Sequence, residues 1–95
     1  MNIDDLFSDE KEVSAVKFFE GSLGTSSVIK LQENAILKEH ITKTSALLLC
    51  ISGEVIYEDQ NEQSITLQAG DYQHIQPQVK HWLTARHKSQ LILLK

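Results

Sequence analysis

Apolar and polar residues alternate with a period of two along most of this chain, and that period belongs to strands. VSAVKFF (13–19), SSVIKLQ (26–32), AILKEHI (35–41), ALLLCIS (46–52), EVIYED (54–59), SITLQ (64–68), DYQHIQ (71–76), HWLTAR (81–86) and QLILLK (90–95) are short and rich in Val, Ile, Leu, Thr or aromatics. Turn-forming residues separate several of them: GSLG, the Ser-Gly pair at 52–53, DQNE at 59–62, AGD at 69–71 and QPQ at 76–78. Helical spacing occurs only at the start, where Ile3, Leu6 and Phe7 fall on one face of a single turn. So many short strands in 95 residues predict an all-β sandwich or barrel with a short N-terminal helical turn.

One strand breaks the alternation. In ALLLCI, Ala46, Leu48 and Cys50 share one face and Leu47, Leu49 and Ile51 the other, so both faces are apolar. Ala46, Leu48 and Cys50 are taken as inward. The outer face needs a cover, which the N-terminal segment or the same sheet of a second subunit can provide; the expectation is a homodimer.

Composition narrows the function classes. The chain is 41% apolar, with the apolar residues spread along it, and its length suits one domain, with an N-terminal extension over about 1–24 and a barrel over about 25–95. Net charge is −4, from 13 acidic and 9 basic residues, and the basic residues are dispersed, which argues against nucleic acid as a partner. No apolar run approaches the roughly 20 residues of a membrane span. The acidic, polar start MNIDDLFSDEKE is unlike a secretory signal, so the expected location is cytoplasmic. Cys50 is the single cysteine, which excludes an internal disulfide and suggests a small buried side chain. Ser52 and Ser64 have no His and Asp partners in a context that suggests a catalytic triad.

The candidate chemistry lies in His40, His74 and His81. His40 stands in NAILKEHITKTSALLLCISG (34–53) and His81 closes GDYQHIQPQVKH (70–81). Together these stretches resemble the two motifs of the cupin superfamily. In the first motif, His40 takes the first His position, Gly53 the closing Gly, and Asn34 the opening Gly; Asn is the next best residue for positive φ. In the second, Gly70, Asp71 and His81 match, Gln76 replaces a Pro and Gln78 a Gly, with Pro77 between them. The resemblance covers about residues 28–95 and implies a jelly-roll β-barrel, the double-stranded β-helix.

It also implies what is missing. Metal-binding cupins take two His and a Glu from the first motif and a His from the second. Here Thr42 holds the second His position and Ala46 the Glu position, so only His40 and His81 remain. His74 is the candidate third imidazole; Cys50 lies too far along its strand to share an ion with His40. Glu39, next to His40, points to the opposite strand face, Trp82 faces away from His81, and His87 is a surface residue near a turn. Lys80 is a candidate to meet an anion beside His81.

The leading expectation is a barrel that binds a small molecule, oriented by His40, Thr42 and His81 against apolar walls that include Leu48 and Leu83. The alternative is a metal-dependent dioxygenase or isomerase acting on a small organic acid or sugar, with Fe, Mn, Ni or Zn held by His40, His81 and a third group. The last is a dimeric scaffold without catalysis. The fold alone cannot choose among these.

Overall fold

The computed structural model describes residues 1–8 and 11–95. Among them, a 3-10 turn (Ile3–Leu6) precedes nine strands: β1 (Val13–Glu20), β2 (Thr25–Leu31), β3 (Ile36–His40), β4 (Ala46–Ser52), β5 (Glu54–Asp59), β6 (Ser64–Gln68), β7 (Tyr72–Ile75), β8 (His81–Ala85) and β9 (Ser89–Leu94). Each strand lies within one residue of the segment that the alternation predicts. The N-terminal turn is held by a reciprocal cap. Asn2 Oδ1 accepts from the Asp4 N–H at 2.9 Å, and the Asp5 carboxylate accepts from the Asn2 N–H at 3.1 Å.

The strands form two antiparallel sheets, of order β1-β2-β9-β4-β7 and β3-β8-β5-β6. Their facing sides make the core. From the five-stranded sheet come Ile29, Leu91 and Cys50, which lie in one cross-strand row, with Leu48, Ala46 and Ile75 beside them. The four-stranded sheet contributes Leu37, Leu83 and Tyr57, again one row, with Val55, Ala85 and Leu67. Every second residue of β4 and β8 is therefore buried, and each large aliphatic side chain removed from water there contributes about 2 kcal/mol. This architecture is the double-stranded β-helix that the motifs imply. No helix among the described residues is long and apolar enough to cross a membrane.

The turn positions of the two motifs share a backbone property. Asn34, Gly53, Gly70 and Gln78 have φ values of 68°, 85°, 90° and 66°, all left-handed. Glycine adopts this region freely, Asn with small cost, and Gln with more. Asn34 therefore keeps the turn that glycine makes in the motif, and Gln78 holds its turn against its own preference.

The outer face of the five-stranded sheet is partly covered by the N-terminal segment. Gln90 Nε2 bonds to the Asp4 carboxylate, and the Lys30 ammonium lies 5.8 Å from the Phe7 ring centroid. Val28 and Lys30 are buried on this face, whereas Leu47, Leu49 and Ile92 are only half-buried. Tyr72, beside Leu49, is 60% exposed, and Leu94, beside Leu47, is 40% exposed.

The tightest junction is at Gly53, where the chain leaves one sheet for the other. A Cβ there would stand 2.2 Å from Ser89 Oγ and 2.4 Å from the Lys88 carbonyl oxygen. Gly53→Ala combines this overlap with a strained φ, so it should cost about 2 kcal/mol or more. Thermal or urea unfolding checks this, and a variant as stable as the parent would show that the β4–β5 turn shifts without cost.

Candidate functional site

Two histidines that lie 41 positions apart in sequence meet at one end of the four-stranded sheet. His40 closes β3 and His81 opens β8, and they are direct cross-strand partners. A bulge makes this possible. Leu37 pairs with Leu83 and His40 with His81, so β3 uses three steps where β8 uses two. The extra residue turns Leu37 and His40 to the same face. The ring centroids are 4.0 Å apart, with planes tilted by 58°.

Each ring is fixed by the backbone two residues before it. His40 Nδ1–H donates to the Lys38 carbonyl at 2.9 Å, and His81 Nδ1–H donates to the Val79 carbonyl at 3.1 Å. A carbonyl oxygen only accepts, so the proton of each neutral ring must sit on Nδ1. Nε2 is then left as a bare lone pair on both rings. Among the described residues neither Nε2 has a hydrogen-bond partner.

His81 is 2% exposed, while His40 is half-buried and gives the pair its access to the surface. Burial holds the His81 imidazole below its ordinary pKa of 6.5. The Val79 carbonyl opposes that shift, neighbouring His40 adds to it, and Asp59 opposes it.

Behind His81 lie two residues that the sequence reading did not single out. Asp59 is its cross-strand partner on β5, and Tyr57 stacks on its ring at 5.9 Å between centroids. Both are buried. The Tyr57 hydroxyl donates to Asp59 Oδ2 at 2.9 Å, and Asp59 Oδ1 accepts from the backbone N–H of Asn61 and Gln63. Asp59 thus braces the β5–β6 turn from inside. Burial raises the Tyr57 pKa, and the bond to Asp59 adds to this, so the phenol keeps its proton. The signal was available in EVIYED, where Val55, Tyr57 and Asp59 share one strand face.

Thr42 follows His40 by two residues and is 3% exposed. Its carbonyl accepts from Gln78 N–H at 2.8 Å, which ties it to the loop leading into His81. Its hydroxyl Oγ1 is buried without a hydrogen-bond partner. Leu48 and Leu83 are packed core members, each 1% exposed.

The remaining candidates stand apart. His74 pairs with Leu47 and meets the Tyr72 ring edge-on at 6.1 Å, both on the outer face of the five-stranded sheet. A third imidazole from that position cannot reach the pair. Cys50 is buried in the core, where burial raises its thiol pKa. Lys80 pairs with Glu39 at 3.4 Å, and exposed His87 lies 3.7 Å from the Glu33 carboxylate. No group of three or more His, Cys, Asp or Glu side chains suited to a metal ion occurs among the described residues.

A match to the family model described as Cupin domain covers residues 27–94. No curated protein matches the chain by sequence. Several solved structures share its fold. A cupin superfamily protein from Desulfitobacterium hafniense is 15% identical with a TM-score of 0.83, over 94% of this chain and 81% of that one. A cupin-2 domain containing protein from Shewanella frigidimarina is 21% identical with a TM-score of 0.80, over 100% and 92%. A double-stranded β-helix protein from Methanocaldococcus jannaschii, described as an RmlC-like cupin, is 14% identical with a TM-score of 0.78, over 94% and 84%. At such identities the likeness is one of fold.

The depressed His81 pKa has a consequence for stability. Below its ordinary value of 6.5 the unfolded chain takes up a proton that the folded chain resists. Folding stability should therefore fall as pH drops from about 7.5 to about 5.5. His81→Gln should flatten that part of the profile, read as melting temperature against pH. An unchanged slope in the variant would assign the acid sensitivity to other groups.

Proposed function

The chain belongs to the cupin family, and from that premise we propose that it binds a small molecule at the end of the barrel, oriented by His40, His81 and Thr42. What supports this reading is the pair of imidazoles fixed as Nδ1–H tautomers, each with an unpartnered Nε2 lone pair. Preset acceptors that no protein group uses are what a ligand with hydrogen-bond donors requires.

A catalytic metal fits this site poorly. Anchoring Nδ1 on a carbonyl is how metal-bound imidazoles are commonly held, and that favours a metal. The number of donors opposes it. Catalytic sites use about three protein ligands and keep one position open. Here the four motif positions hold two imidazoles, a neutral Thr42 hydroxyl and an Ala46 methyl, and the last two are poor ligands for Fe, Mn, Ni or Zn. The dioxygenase or isomerase alternative would need a third ligand from outside the described residues or from the substrate.

Elemental analysis of the purified, untagged chain after loading with Fe, Mn, Ni or Zn separates the two. The expected result is well below one metal per chain, with His40→Ala leaving that trace unchanged. Near-stoichiometric metal that both His40→Ala and His81→Ala remove would overturn the metal-free reading.

The proposal includes a homodimer through the outer face of the five-stranded sheet. Leu47, Leu49, Ile92, Leu94 and Tyr72 form an apolar surface there, bordered by His74 on the edge strand β7. Sedimentation equilibrium should give twice the chain mass of 10.8 kDa, and Leu94→Asp should shift it to the monomer. A parent chain that sediments as a monomer at micromolar concentration would remove the dimer.

A further inference from the structure

Resting on the homodimer proposed above, we infer how its two copies meet: the N-terminal turn of each seats in an apolar hollow at the β1–β2 hairpin of the other. The outer face of the five-stranded sheet is ordered in rows that run from edge to edge. Val16, Val28, Ile92, Leu49 and Tyr72 form one row, with one residue from each strand. Phe19, Ser26, Leu94, Leu47 and His74 form the next. Neither row carries an acid, a lysine or an arginine. Strands about 4.8 Å apart and rows about 7 Å deep give these two rows roughly 300 Å² of sheet. A specific interface buries about 800 Å² on each partner, so the contact must run past both rows.

The two ends of the face differ in relief. Beyond the first row, the N-terminal segment crosses the strands over Ser14, Lys30 and Gln90, which make the adjoining row. The Asp4 carboxylate accepts from Gln90 Nε2, Phe7 lies against the Lys30 ammonium, and Leu6 and Phe7 line a small cleft with Ser14 and Val16. That end is therefore a step, and its turn Ile3–Leu6 has no buried residue. Beyond the second row lies a hollow of about 640 Å³, whose lining includes Phe19, Leu23, Gly24 and Leu94. Phe19, Ser26 and Leu94 belong both to this lining and to the second row, so hollow and face are continuous. The floor of the hollow is preformed. Thr25 and Lys95 exchange backbone hydrogen bonds of 2.6 and 2.9 Å, and Gly21 N–H donates to the Gly24 carbonyl at 2.8 Å.

This relief selects the symmetry. Two copies of one face are related by a two-fold axis in the contact plane, lying along the strands or across them. An axis along the strands keeps every row at its own level. The segment crosses β9, the middle strand, so step would meet step and hold the apolar rows apart. An axis across the strands, between the two rows, exchanges the ends. Each row then faces the other row of the second copy, Ile92 toward Leu94 and Leu49 toward Leu47. Step and hollow lie on opposite sides of that axis, each about 10 Å from it. Both stand over β1, β2 and β9, so each step enters the opposite hollow. Leu6, exposed on the step, is carried against Leu23, exposed at the rim of the hollow.

Substitution and cross-linking test the arrangement. Leu6→Asp and Leu23→Asp change side chains that are exposed in the single chain, so each should keep the fold, and melting temperature checks this. Each should raise the dimer Kd at least tenfold in sedimentation equilibrium. Cysteines at the same positions read the contact directly, because Cys50 is buried. A mixture of Leu6→Cys and Leu23→Cys chains should form a disulfide-linked dimer on mild oxidation, and neither chain alone should. A dimer that Leu94→Asp dissociates, but that Leu6→Asp and Leu23→Asp both leave unchanged, would overturn the seating and leave the homodimer standing. Leu6→Cys chains that link to one another would also overturn it, by bringing segment against segment. A parent chain that is monomeric removes the homodimer, and this arrangement with it.

Discussion

The fold depends on one close contact where the chain twice crosses between sheets. The β4–β5 turn carries it from the five-stranded to the four-stranded sheet through Gly53, and the β8–β9 turn carries it back through Lys88 and Ser89. The two crossings touch. Ser89 Oγ accepts from the Glu54 N–H at 2.9 Å and donates to the His87 carbonyl at 2.7 Å. Ser89 is fully buried, and the space beside it admits a hydrogen and no more. With both turns fixed, β4 and β9 enter one sheet and β5 and β8 the other in matched registers. Leu48 and Leu91 are then held against Tyr57 and Leu83 in one core.

The polar end of the barrel is built on that frame and relaxes its rules. Four polar side chains, Thr42, Tyr57, Asp59 and His81, are buried at or near the polar end of the core. Tyr57 and Asp59 satisfy each other, and Asp59 also satisfies the turn it braces. Among the described residues, Thr42 Oγ1 is a buried side-chain oxygen with no hydrogen-bond partner. Leaving a buried polar atom unpaired costs about 1–3 kcal/mol.

Departures from the family motif separate into those the fold absorbs and those that change chemistry. Asn34 and Gln78 replace glycines at left-handed positions, and the backbone still makes both turns. Thr42 and Ala46 stand where metal-binding members of the family carry ligands, and among the described residues no group of three or more His, Cys, Asp or Glu side chains suited to a metal ion takes their place. The nearest carboxylate on the His81 side, Asp59, is engaged by three hydrogen-bond donors. The frame survives because turns need only a tolerable φ. A metal site needs specific donor atoms.

The sequence by itself determined the strands, their inward faces and the turns, because a period of two and a positive φ are local properties of the chain. Ala46, Leu48 and Cys50 point inward as their spacing required. The two motifs marked His40 and His81 as belonging to one end of the barrel. The tertiary structure alone decided how they meet. The β3 bulge turns His40 toward His81, and a bulge is set by the pairing of β3 with β8, which no local pattern encodes. The same holds for His74, whose face follows from its pairing with Leu47, and for Asp59, which acquires its place behind His81 only when β5 pairs with β8. Strand periodicity is written residue by residue, whereas the approach of two side chains depends on a register shared by segments far apart in the chain.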